Sequence, residues 1–597
     1  MIKVSDFIAK YLKEQYGVNC VFMVSGGGAM HLNDSFGRFI PYVCCHHEQA
    51  CAIAAEGYAR VNQRLGVVNV TTGPGGLNCL NGVFGQWTDS VPVLYVSGQV
   101  KRATTLAACP QIPLRQLGDQ EVDIVRVVRP LTKYAVSLTQ PEQVRYELEK
   151  AVYLATHGRM GPVWLDVPLD VQAAQVDETA LPGFTAPLET PADLTAPIRE
   201  LKKLFMAARR PLIVAGHGIR LAGGIQEFLT LLGRWRVPVV TTMNGFDTVA
   251  QDNPQFIARI GTVANRAGNF ALQNADLVLT IGSRNNIRQV SYNWENFAKN
   301  AKLVCVDIDG AELDKPTLKP ALKIQADARD FLRALLAEPW TVQTEKWLAW
   351  CKNLQQKYPP VTEAPRAGGP LEAYAFTDLL IRQFSNREVV VCGNGTAFLV
   401  PFQVGRVKQG QRYIWNSGDA SMGYDLPAAI GACLANGHQR TVCLAGDGSI
   451  MMNLQELQTV VHYHLPLKIF ILNNGGYVSI QQTQKNFFNG RMSGCTPQSG
   501  VSLPDFIQIA RAFGLPAERI STGENLPEKL RRLLSAPGPA VCEVMLTPGY
   551  IFAPKLSARK LPDGSMVSPS LEDMYPFLDR RELAENMRIS GGVKNNE

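Results

Sequence analysis

A chain of 597 residues that is 46% hydrophobic and 19% charged is too apolar to be disordered and too long for one ordinary core, so several α/β domains are expected. Its net charge of +7 balances 59 basic against 52 acidic residues, with no Lys/Arg run or basic stripe, which argues against a nucleic-acid partner. The 13 cysteines form no C-x-x-C pair and residues 1–13 lack a signal-peptide apolar segment; with no run near about 18 apolar residues, a membrane span is excluded and a cytoplasmic location expected.

Continuous β-branched runs begin at Gly66, Val91 and Gly161, then at Pro211, Val237, Asp276 and Lys302, and finally at Glu388, Arg440, Leu467 and Gly538. Runs that are apolar at nearly every position predict parallel strands covered on both faces, and their alternation with amphipathic stretches predicts doubly wound α/β sheets. Proline-rich, aperiodic stretches at 172–197 and 352–370 divide the chain. The division gives an N-terminal domain 1–175, a central Rossmann-like domain 195–340, a C-terminal domain 370–555 and a tail 556–597. Gly161-Pro162-Val163 and Gly538-Pro539-Ala540 open similar closing strands, a hint that the outer domains are one type duplicated.

Glu48 stands where a strand end runs into an Ala-rich amphipathic helix, and a carboxylate there complements the helix N-terminus. In the last third, Gly446-Asp447-Gly448-Ser449 follows a strand, and after a further helix and strand comes Asn473-Asn474-Gly475-Gly476-Tyr477. Both turns fall at carboxyl ends of neighbouring parallel strands, where open α/β sheets bind ligands. Asp447 and Asn474 offer hard oxygen ligands of the kind Mg²⁺ takes. Gly446, Gly448 and Ser449 permit close approach of a phosphate at a helix N-terminus. Either turn alone is ordinary; the pair points to a site.

Gly446-Asp447-Gly448 followed by Asn473-Asn474 resembles the diphosphate–magnesium motif of the thiamine-diphosphate enzymes. The stretch from Cys45 to Arg60, with His47-Glu48-Gln49 and then Ala54-Ala55-Glu56-Gly57-Tyr58, is similar to the same family's acetolactate synthase catalytic subunits. The resemblance implies Mg²⁺ on Asp447, Asn474 and the Gly476 carbonyl, with Gly446, Gly448, Ser449 and Tyr477 around the cofactor. It implies that Glu48 hydrogen-bonds N1′ of the aminopyrimidine and so promotes loss of the C2 proton. Met422, in a Met-Gly…Leu-Pro-Ala-Ala segment, matches the apolar residue wedged between the cofactor rings. Gly28 belongs to the first-domain glycine loop, and Gly395 and Thr396 stand where acetolactate synthases carry Gly-Gln-His. Gln99 and Gln120 match glutamines facing the active site.

Gly216-His217-Gly218 follows a middle-domain strand and offers a cradle for a pyrophosphate. Segments around Arg284, Arg288 and Asp307 are similar to flavin-contacting segments of acetolactate synthase, and Arg129 matches a further arginine. Relatives keep this domain with FAD, with ADP or with nothing bound. Thr483 departs from the family: a tryptophan selecting the acceptor is expected there. Leu169 replaces a lysine, so a wider, more polar pocket is implied.

The resemblance therefore implies a 2-oxo acid decarboxylase/carboligase with pyruvate as donor, acting on small 2-oxo acids or ketones. Acetyl transfer to a keto sugar and C–C hydrolysis of a cyclic dione are the enzymatic alternatives, and a nucleotide-binding regulatory protein the non-enzymatic one. A homodimer or homotetramer with sites between subunits is implied. The tail is expected to close the active site or to pack on a neighbouring subunit.

Overall fold

The apolar runs become the central strands of three six-stranded parallel sheets in the computed structural model, which describes residues 1–188, 190–361, 368–560, 563 and 565–587. The first sheet contains β1 Val21–Met23, β2 Tyr42–Cys44, β3 Gly66–Val70, β4 Val93–Gln99, β5 Tyr134–Ser137 and β6 Val163–Pro168, in the order β2-β1-β3-β4-β6-β5. The middle sheet contains β7 Pro211–Ala215, β8 Val239–Thr241, β9 Phe256–Arg259, β10 Leu277–Ile281, β11 Lys302–Asp307 and β12 Leu322–Gln325. Its order is β9-β8-β7-β10-β11-β12. The last contains β13 Val389–Cys392, β14 Arg412–Ile414, β15 Thr441–Gly446, β16 Leu467–Asn473, β17 Ala517–Ile520 and β18 Ala540–Met545, ordered β14-β13-β15-β16-β18-β17. First and last sheets thus share one topology, as the duplicated closing strands hinted.

Both faces of each sheet are covered. Along β4, Leu94 and Val96 enter one apolar cluster while Val93 and Tyr95 enter another. That two-sided burial is why these strands read as unbroken apolar runs.

Five helices position the chemistry: α1 Glu48–Asn62, α2 Leu80–Asp89, α3 Asp425–Ala435, α4 Asp447–Ile450 and α5 Val478–Phe487. The first and last domains meet within the chain through α1 and α3, whose backbones touch at two glycines. A Cβ on Gly57 would lie 2.1 Å from the Ala428 carbonyl oxygen, and one on Gly431 would lie 1.8 Å from that of Ala54. Only glycine permits this approach.

The aperiodic stretches are shorter than expected. Leu169–Ala173 is helical and Gln175–Val176 pairs with Ile2–Lys3, while the helix Glu345–Lys357 runs into the second stretch; residues 362–367 of that stretch lie outside the described residues. The described tail docks on the middle domain of its own chain. Leu571 and Met574 are buried, the Asn269 amide donates to the Leu571 carbonyl (2.9 Å), and Glu572 meets Gln273 (2.7 Å) and Lys299 (2.9 Å). Neither expected docking place accounts for these contacts; tail residues 588–597 lie outside the described residues.

The cysteines are all free, and all but Cys44 and Cys109 are buried. Among the described residues no helix is long and apolar enough to cross a membrane.

Candidate active site

In the last domain the strand order reverses between β13 and β15, and the two expected loops leave the neighbouring strands β15 and β16 at their carboxyl ends. Such a reversal opens a crevice for ligands. The crevice holds Gly395 and Thr396 after β13, Asp447 to Ser449 after β15, and Asn474 to Tyr477 after β16. Gly476 has φ +122°, and a Cβ there would lie 2.4 Å from the Cys495 carbonyl oxygen; a Cβ on Gly448 would enter the Tyr477 ring at 2.1 Å. This backbone can therefore form only with glycine at both positions.

The glycine turn wraps the Asp447 carboxylate in backbone donors: the amides of Gly448 (2.7 Å), Asn474 (3.0 Å) and Gly476 (3.0 Å). Burial pushes the Asp447 carboxyl above its usual range, and these amides pull it partly back. The Asn474 side-chain amide donates to the hydroxyls of Thr396 (2.9 Å) and Tyr550 (3.2 Å). Its Oδ1 is left buried with no partner. A buried, unpartnered carbonyl oxygen beside a buried carboxylate fits a hard cation that completes its shell with phosphate oxygens. The Gly476 carbonyl accepts from the Val478 amide (3.1 Å) and keeps a second lone pair.

The helical run expected from Met451 to His462 begins only at Leu454, as a 3-10 turn, Leu454–Glu456, followed by the helix Leu457–His462. α4 is a single turn, and Asn453 turns back to donate to the Gly423 carbonyl (2.8 Å). The Ser449 hydroxyl accepts from the Gly423 amide (2.9 Å), which ties the half-buried Met422 to the diphosphate-side turn. Two further residues join this crevice that the sequence did not single out. Tyr550, beyond β18, hydrogen-bonds both Asn474 and Thr396. Asp425, buried at the start of α3 with Oδ2 unpartnered, is pushed up to about 6 by burial.

The first domain repeats the arrangement at the β1/β3 reversal. The Gly28 amide donates to Thr71 Oγ1 (3.1 Å), closing the glycine loop on the Thr71–Gly76 turn. Glu48 opens α1, and His47 caps the same helix by accepting from the Gln49 amide (3.1 Å). Asn78 donates to Glu48 Oε2 (2.9 Å), a partner the sequence did not reveal. Gln120, at φ +60°, is exposed, and its side chain makes no hydrogen bond among the described residues. Gln99 is different. It is buried and gives its amide to Val122 (3.0 Å) and Asp166 (3.3 Å) while accepting from Val100 (3.1 Å), so it holds the loop together instead of facing a ligand.

Among the described residues no hydrogen bond or ion pair links Glu48 itself to the last domain, though its neighbours reach it: the His46 amide donates to Glu456 (2.9 Å) and the Asn453 side-chain amide to Gln49 (3.5 Å). A third cleft lies at the middle-domain reversal between β7 and β10, lined by His217, Arg284, Gln289, Asp307 and Arg159 among others. His217 is half-buried, its Nδ1 is buried and unpartnered, and desolvation chiefly pushes it down to about 3. Gly216 and Gly218 are explained by structure: a Cβ on either would lie 2.1 or 2.6 Å from the Gly282 backbone. Arg284 lines the cleft; Arg288 and Arg129 are exposed and do not. Arg159, which bridges to Asp309 (2.7 Å) and Glu312 (2.9 Å), occupies the cleft instead.

Three domain types of the thiamine pyrophosphate enzymes match in chain order. The N-terminal TPP binding domain matches residues 2–126, the central domain 198–335 and the C-terminal TPP binding domain 393–544. The chain belongs to the thiamine pyrophosphate enzyme family and is a thiamine-pyrophosphate-dependent enzyme. Within the family it is similar to acetolactate synthase large subunits. It is 30% identical to that of Cyanidium caldarium over 94% of this chain and 96% of the relative. The isozyme 2 large subunit of Escherichia coli K12 is 31% identical, over 91% and 95% of the two chains. The probable acetolactate synthase large subunit of Methanocaldococcus jannaschii is 29% identical over 92% of each.

Proposed function

We propose that the protein is a Mg²⁺-dependent 2-oxo acid decarboxylase/carboligase of acetolactate synthase type, with pyruvate as donor. The observation that carries this reading is the unpartnered Asn474 Oδ1 beside Asp447, faced by the Gly448, Ser449 and Thr396 side of the crevice. Asp447, Asn474 and the Gly476 carbonyl hold the cation; Gly395, Thr396, Gly446, Gly448, Ser449 and Tyr477 surround the diphosphate. Thiamine pyrophosphate, when bound, supplies a thiazolium that accepts the electron pair released as a 2-oxo acid loses CO₂. Met422 props the cofactor, Glu48 holds a proton at the aminopyrimidine, and Gln120 reaches toward substrate from the rim. Incubation with thiamine pyrophosphate, Mg²⁺ and pyruvate tests the reading: pyruvate is expected to disappear, and chelation of the metal to stop it.

Glu48 and Asp447 serve one cofactor yet lie on two domains of like topology, and the working unit is a homodimer or homotetramer. Exposed Leu77, Phe84 and Trp87 beside the Asn78 turn, and exposed Met451 and Met452 after α4, supply apolar surface for that contact. The middle-domain cleft holds FAD, ADP or nothing; a flavin absorption band in the purified protein assigns FAD, and its absence leaves the other two. Free, mostly buried cysteines support a cytoplasmic location. Transfer of the acetyl group to a keto sugar is the second reading. Thr483 favours it: a small, exposed side chain bonded only to its own helix at the Ser479 carbonyl (3.1 Å). Product analysis with each acceptor separates the two.

A further inference from the structure

A cavity of 270 Å³ lies between the middle and last domains, walled by Gln251, Arg259, Asn265, Gln355, Gln403 and Arg406 among others. It shares no lining residue with the middle-domain cleft and none with the two crevices described above. Its described lining contains two arginines, several amides and no carboxylate.

Arg259, the last residue of β9, is 3% exposed, yet its Nε and Nη2 atoms are buried without a partner. Its guanidinium lies 4.2 Å from the Phe246 ring centre and 5.4 Å from that of Phe256. Ring faces attract the charge but leave the N–H groups unsatisfied. Among the described residues the other buried arginine, Arg60, and the half-buried Arg412 are paired. Arg60 meets Glu56 and Asp89 at 2.8 Å each, and Arg412 meets Asp247 at 3.0 Å. Burial pushes the Arg259 guanidinium down to about 9, so it remains a cation at neutral pH. Arg406, anchored through Nε to Asp378 at 2.9 Å, brings a second positive charge to the same wall. An unpaired buried cation is costly unless a counter-charge reaches it.

We propose that this cavity binds a small oxyanion, a phosphate or a carboxylate, held by Arg259 and Arg406 and by the surrounding amides, so that its occupancy ties the middle domain to the last. Charge-assisted hydrogen bonds from guanidinium to oxyanion are the strong kind, and the counter-charge would offset the cost of the buried Arg259 cation.

The test is thermal unfolding of the full chain loaded with thiamine pyrophosphate and Mg²⁺, which keeps the diphosphate crevice filled. Inorganic phosphate replaces chloride at constant ionic strength in one series, and acetate replaces it in a second. A saturable rise in Tm is expected in at least one series; a phosphate-only response assigns the ligand as phosphate, and an acetate response as carboxylate. Arg259→Met keeps the packing on the rings and is expected to weaken the response about tenfold or more, the loss of a charged hydrogen-bonding pair. Gln356→Glu, at an exposed lining position, sets a carboxylate at the mouth and is expected to do the same without touching the core. It decides the matter if the first variant does not fold. Absence of a saturable response in the unaltered protein, or an unchanged midpoint in the folded variants, overturns the proposal.

Discussion

Glu48 owes its place to local chemistry: His47 caps the helix it opens, and Asn78 holds one carboxylate oxygen at 2.9 Å. Glu48→Gln keeps the shape and removes the proton-holding group. Turnover is expected to fall by about 100-fold or more while cofactor affinity changes little, as cofactor titration beside steady-state kinetics would read. Asp166, beneath Gln99, makes a prediction of another kind. Burial raises its carboxyl from 3.8 to about 7, against hydrogen bonds from Ser97, Gln99 and Ser137 that lower it. Between those values the folded protein keeps a proton that the unfolded chain releases, so this group's contribution to stability falls as pH rises. The slope is at most about 1.4 kcal/mol per pH unit, and below the lower value the contribution is constant. Denaturant unfolding across that window is expected to be flatter for Asp166→Asn than for the unaltered protein. The turns that carry Asp447 and Asn474 stand out in the sequence as glycine turns after strands, whereas Glu48 drew notice only through the family resemblance, since a helix start by itself accounts for a carboxylate there. Tyr550, Asn78 and Arg159 carry no local mark and reach their partners only through the fold.

At the scale of elements, the two glycines between α1 and α3 set how closely the outer domains dock. Gly431→Ala places a methyl 1.8 Å from the Ala54 carbonyl oxygen, where rigid backbone cannot yield. A loss of about 1–3 kcal/mol in unfolding free energy is expected, measured by urea titration. The segment after β18 lays Tyr550 on Asn474 and Thr396, so Tyr550→Phe frees the Asn474 amide to turn. Mg²⁺ affinity is expected to drop about fivefold with the melting temperature little changed, the size of one lost neutral hydrogen bond. The same elements show what periodicity can and cannot reveal. Central strands such as β4 and β16 are buried on both faces and read as apolar runs. Tyr134–Ser137, Phe256–Arg259, Leu322–Gln325, Arg412–Ile414 and Ala517–Ile520 are sheet edges. They are short, and several carry charged residues, so they give no such run. The helix after Ser449 starts later than the apolar pattern suggests for a related reason: Asn453 spends its side chain on Gly423, and the helical run begins only at Leu454.

For the whole molecule, the proposed function sets the two ends of the cofactor on matching crevices in two domains of one topology. If chains complete one another's sites, co-expressed Glu48→Gln and Asp447→Asn chains form hybrids in which one site carries both lesions and the other neither. Activity is then expected in the hybrid and in neither parent variant; an inactive hybrid would place both residues in one chain's site. The tail tied to Asn269, Gln273 and Lys299 explains why a compositionally apolar segment need not cover an active site, a point the sequence left open.

The most direct measurement is pyruvate consumption by the purified protein with thiamine pyrophosphate and Mg²⁺, with products identified and the Glu48→Gln protein run alongside. Glu48-dependent loss of pyruvate with acetolactate among the products is the predicted result. Cofactor bound but no pyruvate consumed, or equal consumption by both proteins, would contradict pyruvate as donor or Glu48 as the proton-holding group.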